Sequence, residues 1–92
     1  GLRKISPRYQ EIKQGESVRL EVSAPAGAPV TFTSLDLGQF ENQLTSITTV
    51  ANEQGVAQTA FTGTAGTIQN INILAGSPMA SGNVSFVVYV LK

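Results

Sequence analysis

Cysteine, histidine and tryptophan are absent from these 92 residues, and methionine occurs once, at Met79. Without cysteine there is no disulfide, no thiolate metal site and no thiol nucleophile. Without histidine the chain lacks the commonest general base, the usual nitrogen ligand for metals and the side chain that titrates near neutrality. Charge is scarce as well, at 13% of residues, with six cations and six carboxylates. Residues 1–22 hold Arg3, Lys4, Arg8, Lys13 and Arg19 against Glu11, Glu16 and Glu21, for a net of +2. The remainder holds Lys92 against Asp36, Glu41 and Glu53, for a net of −2. Neither portion is basic enough for a nucleic-acid footprint, so no nucleic-acid partner is expected. No apolar run approaches the ~20 residues of a membrane-spanning helix, so no insertion into a membrane is expected either.

What the chain does have is alternation. Ser17–Ser23 places Val18, Leu20 and Val22 on one face and Arg19 and Glu21 on the other, which is the period of a half-buried strand. Val30 and Phe32 alternate with Thr31 and Thr33 in the same way, as do Ala57, Thr59 and Phe61, and Ile71, Ile73 and Ala75. Thr45–Ala51 is β-branched and also reads as a strand. Leu2–Ser6 and Tyr9–Lys13 flank Pro7, which cannot donate to a ladder and so marks an edge strand, or two short ones. Between these runs lie turn signals: Gln14-Gly15-Glu16, Ala24–Pro29, Asn52–Gly55 as a tight hairpin, Gly63–Gly66, and Gly76–Asn83 as a loop. In Leu35–Leu44, Leu37, Phe40 and Leu44 look like plugs at one end of a core, and Ile68, out of phase, suggests a bulge near Gln69-Asn70. Some seven or eight short strands at this spacing predict an all-β fold: an antiparallel Ig-like sandwich of about seven strands, held by aliphatic packing with no disulfide. The start at Gly1-Leu2-Arg3-Lys4 and the end at Leu91-Lys92, directly after a strand, give the expectation of one module, 1–92, of a longer protein.

The final strand, Val84–Leu91, is apolar on both faces. Val84, Phe86, Val88 and Val90 share one side; Val87, Tyr89 and Leu91 share the other. A strand of this kind is covered twice or abuts a neighbour. Val87, Tyr89 and Leu91 are therefore the candidate interaction surface, and the plain alternative is that a partner strand or the N-terminal segment covers them.

Four pieces of the chain resemble bacterial Ig-like domains of the invasin and intimin type. They are Val30-Thr31-Phe32, Gly38-Gln39-Phe40, the hairpin stretch Asn52-Glu53-Gln54-Gly55-Val56-Ala57, and the Gly63-to-Gly66 turn leading to Ile71-Asn72-Ile73. The likeness covers about residues 29–75. Asn52 stands where that family has Asp, and still supports an Asx turn. Pro7, Ile12, Gly15, Ser17, Val18 and Leu20 are similar to the opening of neighbouring bacterial Ig-like groups. The resemblance implies an extracellular or cell-surface module, a stalk, spacer or adhesion unit, whose partners are neighbouring modules of the same chain and, for an adhesive unit, a host protein or glycan. It brings no catalytic residues and no cofactor.

The residues themselves offer little chemistry. Glu16, Glu21, Glu41 and Glu53 read as solvated carboxylates rather than an acid–base pair, and no enzymatic activity is expected. Asp36, Glu41, Asn52 and Glu53 are oxygen donors on loops, but no D-x-[DN]-x-[DN]-G calcium loop contains them, so no metal is expected. Lys4 or Lys13 with Asn83 and Glu11 or Glu21 are the residue types of an isopeptide crosslink, against which both lysines read as exposed. Two further functions stand beside the surface-module reading: a carbohydrate-binding accessory module of a secreted enzyme, and a decoration domain of a phage virion. Few aromatics are free to stack sugars, which counts against the former.

Overall fold

Every run that alternates in the sequence pairs as a strand in the computed structural model, which describes residues 1–64 and 70–91. The strands are β1 (Arg3–Lys4), β2 (Tyr9–Lys13), β3 (Ser17–Ser23), β4 (Pro29–Ser34), β5 (Gln39–Phe40), β6 (Ser46–Val50), β7 (Val56–Thr62), β8 (Asn70–Ser77) and β9 (Ala80–Leu91). They form two sheets, β1-β3-β7-β5 and β2-β9-β8-β4-β6, which face one another as an Ig-like sandwich. The domain is elongated, 37 × 22 × 19 Å.

The period-two pattern decides which side chains lie between the sheets. From the four-stranded sheet come Val18, Leu20, Val22, Ala57 and Phe61; from the five-stranded sheet Val30, Phe32, Ile71, Ile73, Phe86 and Val88. Most are fully buried, and close packing at this density makes each of them sensitive to a change of volume. Phe40 packs edge-on against Phe61, with ring centroids 5.2 Å apart, and Phe32 lies 6.4 Å from Phe40.

Several expectations about connections change. Pro7 divides the N-terminal segment between the sheets. β1 pairs antiparallel with β3, while β2 pairs in parallel with β9, so one pair of this otherwise antiparallel sandwich is parallel. Asn52–Gly55 makes the Asx turn, with Asn52 Oδ1 accepting from the N–H groups of Gln54 and Val56 at 3.0 Å. It is not a hairpin, however, because β6 pairs with β4 and β7 pairs with β3 and β5. The turn is an arch that carries the chain from one sheet to the other. Conversely, the loop expected over Gly76–Asn83 is a hairpin tip: β8 runs to Ser77, β9 begins at Ala80, and the register shifts between Ala75 and Ser77. Gln69, where a bulge is expected beside Asn70, and the second half of the Gly63–Gly66 turn lie outside the described residues. Between β4 and β6 the chain visits the opposite sheet as β5. Phe40 is the plug expected there, whereas Leu37 and Leu44 are 44% and 62% exposed.

Candidate functional site

β9 lies inside the five-stranded sheet, with β2 on one side and β8 on the other. Its inward residues Phe86, Val88 and Val90 are buried in the core. Alternation then turns Val87, Tyr89 and Leu91 to the outer face, as the sequence predicts. Val87 and Tyr89 are half-buried by their strand neighbours, and Leu91 is exposed.

The N-terminal segment flanks this face rather than covering it. β2 lies beside β9 in the same sheet, so its alternate residues join the patch. Tyr9 pairs with Val87, Glu11 with Tyr89 and Lys13 with Leu91. On the far side Asn72 stands opposite Val87 and Asn70 opposite Tyr89. The result is a row of tyrosines and aliphatics bordered by amides. Tyr9 is 49% exposed, and its hydroxyl donates to Glu11 Oε2 at 2.9 Å. That hydrogen bond to Glu11, with some desolvation and the adjacent negative charge, holds the Tyr9 hydroxyl above the ordinary tyrosine range. Tyr9 and Glu11 belong to the patch because of a parallel pairing across most of the chain's length. The signal present in the sequence was only that Tyr9, Glu11 and Lys13 share a phase.

The other candidates are dispersed. Glu16 Oε1 accepts from Lys13 N at 2.6 Å within its own turn. Asp36 Oδ2 accepts from the backbone and side-chain N–H groups of Asn72 at 2.8 and 3.3 Å. Glu41 Oε1 accepts from Thr59 Oγ1 at 2.9 Å and Ala60 N at 3.2 Å. Among the described residues, no three carboxylates gather into a group that could hold a metal ion. Arg3 and Lys4 lie on an edge strand of one sheet and Lys13 on an edge strand of the other. Lys13 lies opposite Leu91, eight residues along β9 from Asn83, which separates that lysine from the asparagine of the crosslink motif, and the alternative lysine, Lys4, is exposed on β1. The outer face of β2, β9 and β8 can therefore offer contact: ring faces, aliphatic area and amide hydrogen bonds.

No protein-family model matches this chain, and no curated protein matches it in sequence. Solved structures do match it in shape. One contains domains 4 and 5 of the S-layer protein SbsC: TM-score 0.67, 15% identity, over 100% of this chain and 45% of that two-domain chain. Another is WR4, a C. elegans MSP family member: TM-score 0.62, 7% identity, over 92% of this chain and 94% of that one. At these identities the likeness establishes the β-sandwich fold. The chain spans less than half of the S-layer structure it matches.

Proposed function

We propose that this chain is a non-enzymatic Ig-like module of a bacterial surface or secreted protein, working as a spacer or stalk and presenting an adhesive face. The observation that carries the proposal is the position of its two ends. Leu2 N–H donates to Ser81 O at 3.4 Å, beside the β8–β9 hairpin tip. Leu91 is ten residues further along β9, about 33 Å away at ~3.3 Å per residue. Leu2 and Leu91 therefore lie toward opposite poles, along the 37 Å axis. Modules joined in this way add length with each copy. The likeness to a two-domain S-layer fragment supports the same reading, and with it a location outside the cell.

On this reading the partners are neighbouring modules at the poles, and a host protein or glycan at the Tyr9, Val87, Tyr89 and Leu91 face. Scattering from two copies fused end to end tests the arrangement. The expected maximum dimension is close to twice the 37 Å long axis. A pair folded back to little more than the length of one copy would overturn it.

A further inference from the structure

A sheet edge exposes unpaired N–H and C=O groups, and folded chains blunt such edges with charge, proline or brevity. Three of the four edges of this sandwich are blunted. β1 is two residues, both charged. β5 is also two residues. β2 follows Pro7 and Arg8 and carries Glu11 and Lys13. β6, Ser-Ile-Thr-Thr-Val, differs from all of them: five residues, no charge, no proline, and β-branched from Ile47 onward. Val50 at its end is 64% exposed.

Register fixes which groups this edge presents. Ala51 N donates to Ala28 O at 2.9 Å and Ser34 N donates to Thr45 O at 2.8 Å. Residues directly opposite in an antiparallel pair alternate between bonded and unbonded, so Thr49 bonds Val30 and Ile47 bonds Phe32. Ser46, Thr48 and Val50 consequently turn their backbone groups away from β4. On that side the Ser46 carbonyl accepts from Asn42 Nδ2 at 2.8 Å, and it keeps a second lone pair.

We propose that β6 is the contact through which two copies of this chain join, edge to edge and antiparallel, about a two-fold axis through Thr48. In that register Thr48 meets the partner's Thr48, and Ser46 meets the partner's Val50. Every outward N–H of the strand then faces a carbonyl. The axis is perpendicular to the sheet, so inward residues stay inward and Ile47 lies beside the partner's Thr49. The five-stranded sheets become one continuous sheet.

Charge favours a second copy over a foreign strand. The edge is neutral, so two copies approach without repulsion and a charged strand finds nothing to recognise. The charged residues of this sheet's β2 are four strands away, about 19 Å at ~4.8 Å per strand, beyond the ~8 Å Debye length at physiological salt. Glu41, on the other sheet, is turned onto Thr59 and Ala60. A five-residue edge buries well under the ~1,200 Å² of a standard interface, so free copies pair weakly and copies held close together pair readily.

Sedimentation equilibrium and amide exchange from about 10 μM to about 1 mM, where a millimolar contact is half formed, test the proposal. The expected mass rises from 9.7 kDa toward twice that value. Exchange at the Thr48 and Val50 amides slows with concentration. Thr48→Lys, on an exposed position, abolishes the association, while Glu11→Gln on the opposite edge leaves it intact. Thr48→Pro gives the same loss without touching a backbone bond to β4, because the Thr48 N–H points outward; the hydroxyl contact of Thr48 with Thr31, 2.8 Å, is lost in both variants. A mass fixed at 9.7 kDa through about 1 mM overturns the proposal. So does association that survives in both Thr48 variants, or that leaves the Thr48 and Val50 amides exchanging freely.

Discussion

Gly38 shows how one residue can fix a local path. Its φ is +102°, and a Cβ there would overlap the Phe61 ring. Gly38→Ala combines backbone strain with overpacking of the Phe40–Phe61 contact, and urea unfolding should report a loss of roughly 2–5 kcal/mol. Thr49 gives the opposite sign. Its Oγ1 is buried without a hydrogen-bond partner, a desolvated group with no compensation. Thr49→Val keeps the shape and removes the hydroxyl, so the same measurement should show stabilisation of about 1 kcal/mol. Tyr9 supplies a pH dependence. Its hydroxyl is held above its usual value of 10.0 because it donates a hydrogen bond to Glu11. The folded chain thus binds that proton more tightly than the unfolded chain. Any stability this gives is present below about pH 10 and is lost as pH rises through the folded value. In an ultraviolet titration of phenolate, Glu11→Ala, which removes the acceptor, should bring the Tyr9 transition to lower pH; an unmoved transition would show that Glu11 is not its cause.

Among elements, β5 is too short to pair with more than two residues of β7, Thr62 and Phe61. Glu41 continues the edge with its side chain, accepting from the buried Thr59 hydroxyl and from Ala60 N–H. Glu41→Ala leaves Thr59 Oγ1 without that partner and should cost about 1–3 kcal/mol in urea unfolding, with Thr59→Val in the same background recovering part of it. That link was not legible in the sequence, where Glu41 reads as an ordinary loop carboxylate. Alternation was legible: it placed Leu20, Phe32, Phe61, Ile73 and Phe86 in the core and Val87, Tyr89 and Leu91 on the outer face. The partner of each strand was not. Asn52-Glu53-Gln54-Gly55 makes the same Asx turn whether the next strand folds back beside β6 or crosses to the other sheet. What selects the crossing is non-local, including the bond from Ala24 N to Gly55 O that ties the turn to the end of β3. The contribution of β2 to the candidate face is equally non-local, since Tyr9 and Val87 are far apart in the chain.

For the molecule as a whole, the poles at Leu2 and Leu91 and the parallel β2–β9 pair bear on one another. Tension on the two ends draws β9 toward its Leu91 end and β2 toward its Tyr9 end. Because the two strands run in parallel and lie side by side, they are pulled past each other along their length. The ladder between them runs from Val87 N donating to Arg8 O at 2.8 Å to Gln14 N donating to Leu91 O at 3.2 Å. Those bonds are loaded together rather than opened one at a time. β1 contributes little resistance, since it pairs only Arg3 and Lys4 with β3. In a parallel ladder anchored by those two bonds, Gln10 N–H also points at β9, so Gln10→Pro removes one of the shared bonds. Pulling a tandem of this domain in a single-molecule force experiment should give a main rupture peak that Gln10→Pro lowers clearly and Lys4→Pro leaves nearly unchanged. Equal loss in both variants would place the barrier in overall stability. An unchanged peak in Gln10→Pro would remove β2 and β9 as the element that resists force.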